Sequence, residues 1–145
     1  MPEVISIVVV DDEPSIGEIL TKFLTRKGYG VASFTNGHRA LEYLVSSDAR
    51  LVLTDINMPE INGIEVIRLA RIIKPDLSFL VMGSRLGDED INQELAELGI
   101  SDYIHKPFAL EALAQAIELK LGAEKSNETR RPPARPDDPV IRAGR

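Results

Sequence analysis

The sequence predicts an α/β fold in which five helices cover both faces of a five-stranded parallel sheet, giving a doubly wound three-layer sandwich. Short runs rich in Val, Ile and Leu recur along the chain, and each is followed by apolar residues at helical spacing. Glycine or proline stands at most of the junctions between these segments. Regular alternation of this kind is typical of parallel strands joined by crossover helices.

The predicted strands are short apolar runs, and the first is composed almost entirely of Val and Ile, as buried strands often are. They cover residues 5–10, 31–34, 51–54, 79–82 and 103–105.

Five helices follow these strands, and each is marked by apolar residues three or four positions apart. Pro14 suits the first turn of the first helix, and Gly28 and Gly99 suit helix ends. The apolar positions are Ile16, Ile19, Leu20, Phe23 and Leu24, then Ala40, Leu41 and Leu44, then the inward-facing Ile64, Ile67 and Ala70, then Ile91, Leu95 and Leu98, and finally Leu110, Leu113 and Ile117.

Composition indicates one folded domain at residues 1–121 and a disordered tail at residues 122–145. The tail combines four prolines with scattered charges and few apolar residues, so it cannot bury enough surface to offset the entropy of ordering. It contains six basic and four acidic residues, a charge of +2, so the net charge of −6 leaves −8 on the domain. An acidic domain of this kind is a poor nucleic-acid binder.

Other classes of protein are also disfavoured. The chain has no cysteine, which excludes disulfides, thiol nucleophiles and thiolate metal sites. Met1 is not followed by a signal-peptide pattern, and no apolar stretch approaches the about 18 residues that span a bilayer. We therefore expect a cytoplasmic protein without a membrane partner.

Polar residues stand at the ends of three predicted strands. Asp11 and Asp12 follow the first strand, Asp55 follows the third and Lys106 follows the fifth. Ligands of open parallel sheets bind beyond the carboxyl ends of the strands. Three acids and one lysine at these ends therefore predict a single site.

These residues, together with D-x-x-M-P-x-x-x-G from Asp55 and Lys106-Pro107-Phe108, resemble the receiver domain of two-component response regulators, over about residues 4–121. The resemblance implies the flavodoxin-like receiver fold. It also implies phosphorelay signalling, in which Asp55 accepts a phosphoryl group from a histidine kinase or a histidine phosphotransfer protein. A carboxylate can attack phosphorus and form an acyl phosphate.

The resemblance further implies a Mg²⁺ site. The carboxylates of Asp12 and Asp55 and the backbone carbonyl of Asn57 would hold the ion, and Asp11 would act through a metal-bound water. Oxygen ligands of this kind are the ones that Mg²⁺ prefers. Lys106 would contact the phosphoryl oxygens as a point charge, and the resemblance implies a cis bond between Lys106 and Pro107.

The family has a Thr or Ser at the end of the fourth strand that contacts the phosphoryl group, and this chain departs from that pattern. Alignment on the strand alone places Gly83 there, whereas counting back from Lys106 favours Ser84, which we prefer. Tyr103 matches the aromatic switch position on the fifth strand. Glu13, beside the paired acids, is interpreted as a first-turn acid that favours the helix dipole. Alternation places His105 on the face opposite Lys106.

Three functional classes remain open. The first is a stand-alone, single-domain switch that is phosphorylated on aspartate and acts on a downstream effector protein, without turnover as an enzyme. The second is a receiver-like binding module that ignores phosphorylation. The third is a Mg²⁺ phosphatase with an aspartyl nucleophile, but such enzymes often carry D-x-D after the first strand, and here Asp11 and Asp12 are adjacent.

Overall fold

The computed structural model describes residues 5–84, 89–101 and 103–129. Five strands alternate with five helices, as predicted. In chain order the elements are β1 (Ile7–Val10), α1 (Pro14–Arg26), β2 (Val31–Phe34), α2 (Gly37–Val45), β3 (Leu51–Asp55), α3 (Gly63–Ile73), β4 (Ser78–Gly83), α4 (Glu89–Glu97), β5 (Tyr103–His105) and α5 (Leu110–Thr129).

The five strands form one parallel sheet in the order β2-β1-β3-β4-β5. The chain winds outward from β1 to β2, then crosses over β1 to place β3 on its other side. The winding direction therefore changes between β1 and β3, and this is where ligands of open α/β sheets bind. Val10 is in register with Thr54, so the residues that follow β1 lie beside the end of β3.

Alternating side chains of the sheet pack into two apolar clusters, one on each face. The α1–α5 face is the side on which Leu53 and Met82 pack against α1 and α5. The α2–α4 face is the side on which Val52 and Val81 pack against α2, α3 and α4. Both faces of the sheet are therefore covered by helices, which explains why the strands are almost wholly apolar.

Helix boundaries follow the predicted local signals. Pro14 is the first residue of α1, and Gly28 and Gly99 adopt positive φ angles of 101° and 77° just after α1 and α4. Asn36 caps α2, where its Oδ1 accepts hydrogen bonds from the amides of His38 at 2.8 Å and Arg39 at 3.2 Å.

Two features at the periphery of the chain bear on the predictions. Ile19, one of the apolar residues at helical spacing in the first helix, is 49% exposed and lines a cavity together with Lys106. Helix α5 continues to Thr129 and so passes residue 121, where the sequence places the domain boundary. Residues 130–145 of the predicted tail lie outside the described residues, and the boundary stays a prediction. Over the described part of the chain, no helix has the length and apolar character needed to span a membrane.

Candidate functional site

The three predicted acids meet at the carboxyl edge of the sheet. Asp11 lies just beyond β1 and Asp55 ends β3, and these strands are neighbours. One carboxylate oxygen from each of Asp11, Asp12 and Asp55 lies within 4.8 Å of the other two. Asp11 and Asp55 are only 1% and 6% exposed, whereas Asp12 is half-buried. The fold therefore concentrates three negative charges in a small, partly dry volume.

Lys106 lies against the two buried acids. Its Nζ is 2.8 Å from Oδ2 of Asp11 and 3.1 Å from Oδ2 of Asp55, so one ammonium bridges both carboxylates. The Lys106 amide donates to the Gly83 carbonyl at 2.9 Å, which fixes the chain where it leaves β5. The peptide bond to Pro107 is cis, as the resemblance implied. Asp11 and Lys106, which are 95 positions apart in sequence, therefore lie in contact, as the sequence predicts.

Burial and charge shift the pKa values of this cluster. The pKa of Asp55 is raised, first because burial disfavours its charged form and next because Asp11 repels it, and the contacts with Lys106 only partly offset these effects. Burial alone would lower the pKa of Lys106. The hydrogen bonds and charges of Asp11 and Asp55 outweigh that effect, so the pKa of Lys106 is raised. The folded protein therefore disfavours the charge of Asp55, and Lys106 is the cation that offsets part of this effect.

Backbone contacts orient the two buried carboxylates. The Glu13 amide donates to Oδ1 of Asp11 at 3.0 Å, and the Asn57 amide donates to Oδ1 of Asp55 at 3.4 Å. Gly63 begins α3 so close to β3 that a Cβ on it would clash with the carbonyl oxygen of Asp55. Glycine at this position therefore lets the end of β3 and the start of α3 approach each other.

The donor set suits a hard divalent cation. Three carboxylates carry −3 in all, and Lys106 supplies +1, so the residual charge favours a dication. Mg²⁺ takes oxygen ligands and usually keeps several waters, which the half-exposed side of Asp12 would allow. Asn57 is exposed and follows Asp55 by two residues, so its backbone lies next to the cluster.

Gly83 and Ser84 lie on different sides of the sheet edge. Gly83 is the buried last residue of β4 and pairs with His105, so strand alternation puts it on the same face as Val81 and Tyr103. Ser84 is exposed and lines a cavity of about 400 Å³ beside Lys106 and Phe108, next to the α1–α5 face.

The half-buried Tyr103 packs against the cluster of the α2–α4 face, and its ring meets that of His105 edge-on with centroids 6.0 Å apart. Ser84 and Lys106 therefore line the same cavity, whereas Gly83, which has no hydroxyl, lies on the face of the aromatic residue. The roles of Ser84 and Tyr103 stay predictions.

Sequence reasoning missed several neighbours of the site. Oε1 of Glu13, interpreted as a first-turn acid, lies 3.9 Å from Nζ of Lys106. Thr54 is fully buried and its hydroxyl donates to the Asp55 carbonyl at 3.0 Å. Asn36 lies just before α2, and its side chain donates to Oε1 of Glu60 at 3.1 Å. Asn36 precedes a helix and so carries a capping signal, whereas nothing in the sequence singles out Glu60.

Comparison with known proteins agrees with this geometry. Residues 7–118 match the model of the response regulator receiver domain family. The response regulator MprA of Mycolicibacterium vanbaalenii is 37% identical over 119 residues, which are 81% of this chain and 50% of MprA. The transcriptional regulatory protein CusR of Escherichia coli is 32% identical over 115 residues, covering 79% of this chain and 50% of CusR.

A CheY-like receiver domain from Methanospirillum hungatei has a similar structure, with a TM-score of 0.79 and 23% identity over 86% of this chain and 99% of that one. The chain belongs to the response regulator receiver domain family. Such domains act in the phosphorelay signalling of two-component systems, interact with histidine kinases and effectors, and bind Mg²⁺ at an acidic pocket. The chain spans about half the length of the curated relatives it matches.

Proposed function

We propose that Asp55 accepts a phosphoryl group from a phosphohistidine donor, either a histidine kinase or a histidine phosphotransfer protein. The observation that carries this proposal is the position of Asp55. Its carboxylate ends β3, is nearly buried and lies 3.1 Å from the ammonium of Lys106. An ionised carboxylate in this environment is a competent nucleophile that solvent does not shield.

In the transfer, an oxygen of Asp55 forms a bond to phosphorus while the bond from phosphorus to the donor imidazole nitrogen breaks. The electron pair of that bond leaves with the imidazole, which takes up a proton. Lys106 holds positive charge beside the Asp55 carboxylate and so stabilises the negative charge of the phosphoryl oxygens. Asp55 thereby becomes an acyl phosphate.

We propose that Mg²⁺ assists this step, held by Asp12, Asp55 and the carbonyl of Asn57, with Asp11 acting through a metal-bound water. A bound Mg²⁺ supplies positive charge that offsets the repulsion between the acids and the incoming phosphoryl oxygens. The three carboxylates support this proposal because their oxygens already lie within 4.8 Å of one another. Labelling by acetyl phosphate should therefore require the cation, and equal labelling in EDTA would contradict the proposed metal role.

Acetyl phosphate labelling with Mg²⁺ tests the proposed function directly. A switch should gain one acid-stable, hydroxylamine-labile phosphate that Asp55→Asn abolishes. A phosphatase should instead release many equivalents of phosphate per protein, and a phosphorylation-independent module should do neither. The first outcome would support a signalling switch rather than a turnover enzyme, and either of the others would contradict it.

The phosphorylation-independent binding module is the second candidate, and one observation favours it. Gly83 is buried at the end of β4 on the same face as Tyr103, and it offers no hydroxyl. Asp55 could then be phosphorylated without moving Tyr103. If Ser84 instead supplies the hydroxyl, as we propose, Ser84→Ala should weaken the response of partner binding to phosphorylation.

We further propose that residues 1–121 form the receiver domain and that its output is binding to a downstream effector protein. The charge of −8 on that region disfavours direct contact with nucleic acid. Phosphotransfer profiling against the histidine kinases of the source organism would identify the donor. Electrophoretic mobility shifts with DNA that match the affinity of a basic control protein would contradict the proposed absence of nucleic-acid binding.

A further inference from the structure

A side-chain hydrogen bond joins the start of α2 to the loop that follows Asp55. Asn36 Nδ2 donates to Glu60 Oε1 at 3.1 Å. The other end of the same amide, Oδ1, caps α2 and is therefore held in place by two backbone amides. Asn36 is thus a fixed donor at a rigid helix end, and Glu60 is the part of the loop that it holds.

The backbone at Glu60 needs such support. Its φ is 68°, and no other described residue except glycine has a positive φ. A side chain with a Cβ is strained in this region, and such a conformation persists only where surrounding contacts enforce it. The next amide, that of Ile61, turns back to the Pro59 carbonyl at 2.7 Å, so the loop is tightly bent here.

Packing and a backbone hydrogen bond hold the rest of this loop in place. Ile61 is 5% exposed, and a Cβ on Gly37 would lie 2.7 Å from Cγ2 of Ile61. The start of α2 therefore packs directly against the loop. The Gly63 amide closes the loop by donating to the Ile56 carbonyl at 2.9 Å. The segment between these contacts contains Asn57, whose amide donates to the Asp55 carboxylate.

We propose that Asn36 and Glu60 form a clasp that positions the loop 56–62 and, through it, the backbone of Asn57 at the metal side of the Asp55 site. The two side chains are positioning residues, because within the described part of the chain they bond to each other and not to the acids or Lys106. This inference rests on the proposed function, since it assigns the clasp to the metal site described there. Its loss loosens the loop without removing a metal ligand.

Binding of Mn²⁺, followed by the electron paramagnetic resonance signal of the free ion, measures the effect without any phosphorylation. Asn36→Asp retains an oxygen that caps α2 but has no donor for Glu60. Glu60→Ala removes the acceptor and keeps the Cβ. Both should weaken Mn²⁺ binding about three- to tenfold, the effect of one lost hydrogen bond.

Glu60→Gln is the matched control, because it removes the same charge as Glu60→Ala while keeping an acceptor for Asn36. It should bind Mn²⁺ nearly as well as the wild type. If charge alone set the Mn²⁺ affinity, the variants would rank differently. Added negative charge in Asn36→Asp would tighten cation binding, and the two Glu60 variants would be equal. The double variant Asn36→Asp, Glu60→Ala should bind no more weakly than the weaker single variant.

Unfolding midpoints of all variants show whether each one folds. If Asn36→Asp does not fold, the comparison of Glu60→Ala with Glu60→Gln still tests the clasp. Equal Mn²⁺ affinity of those two variants overturns the clasp while leaving the proposed function intact, provided that the wild type binds Mn²⁺ and is labelled at Asp55. A wild type that binds no Mn²⁺ overturns the proposed metal site and the clasp with it.

Discussion

The crowding of carboxylates predicts that the phosphoacceptor candidate destabilises its own fold when no metal is bound. Asp55 is 6% exposed and its pKa is raised, which means that the folded protein disfavours its ionised form. Asp55→Asn keeps the shape and retains an oxygen that can accept from Lys106, but removes the charge. The variant should therefore be more stable than the wild type at neutral pH in EDTA.

The distances set the size of this effect. One carboxylate oxygen from each acid lies within 4.8 Å of the others, so at an effective dielectric of 20 the buried Asp11 repels Asp55 by at least about 3.5 kcal/mol, and the half-exposed Asp12 adds a smaller repulsion. Attraction between Asp55 and Lys106 at 3.1 Å offsets about 5 kcal/mol of this repulsion. The charge effects therefore nearly cancel, and relief of carboxylate desolvation, the first cause of the raised pKa, sets the difference. Asp55→Asn should therefore gain about 2 kcal/mol.

The pH dependence has a definite sign. Because the pKa of Asp55 is higher in the folded than in the unfolded protein, the folded state binds more protons between those two values. Stability of the wild type therefore falls as pH rises through this window, and Asp55→Asn lacks that contribution. The advantage of the variant should be small below the ordinary carboxyl pKa and fully developed above the raised pKa of Asp55.

Urea unfolding followed by far-ultraviolet circular dichroism measures the free energy of unfolding, which suits a chain without tryptophan. Saturating Mg²⁺ should stabilise the wild type more than Asp55→Asn, because only the former keeps all three carboxylates. Asp48→Asn, at an exposed acid in the turn before β3, is the control and should change stability little. A metal-free Asp55→Asn that is less stable than the wild type at neutral pH would refute the reasoning.

Three further predictions concern the surroundings of Asp55. Lys106→Met removes the cation that bridges the two buried acids, and in EDTA it should lower the free energy of unfolding by about 3 kcal/mol, with partial recovery in Mg²⁺. Gly63→Ala should cost about 1–3 kcal/mol and reduce acetyl phosphate labelling, because its Cβ would meet the backbone at the end of β3. Gly83→Thr should increase the phosphorylation-dependent shift of a fluorinated Tyr103 in ¹⁹F nuclear magnetic resonance, and Ser84→Ala should reduce it.

For each of these three predictions, one result would contradict it. An unchanged metal-free stability of Lys106→Met would mean that the bridging ion pairs are compensated elsewhere. Gly28→Ala adds strain at a φ of 101° with no atom nearby, so it should lower stability but leave labelling intact. If Gly63→Ala behaves in the same way, the close approach to β3 does not position Asp55. A Tyr103 signal that responds equally in wild type, Gly83→Thr and Ser84→Ala would remove both residues from the switch.

The sequence by itself determined the number and type of elements and the end of the sheet at which the site lies. Apolar runs and helical spacing depend on local periodicity, which the chain order preserves. Residues that follow parallel strands must gather at one edge, so Asp11, Asp55 and Lys106 could be assigned to one site without coordinates. The cis bond after Lys106 was anticipated only through the family resemblance.

Only the tertiary structure decided how these pieces meet. Strand order and register depend on hydrogen bonds between distant segments, and a shift of one residue moves a side chain to the other face. That is why the sequence left Gly83 and Ser84 as alternatives for one position, whereas in the structure Ser84 lines a cavity with Lys106 and Gly83 lies on the face of Tyr103.

The bond between Asn36 and Glu60 was hidden for the same reason. It joins the start of α2 to the loop before α3, 24 residues further along the chain, and no local pattern records that proximity. Helix α5 also continues to Thr129, into the segment whose composition, taken alone, predicted a disordered tail. Local chemistry in the chain therefore determined which residues could form the site, and long-range packing decided how each of them faces Asp55.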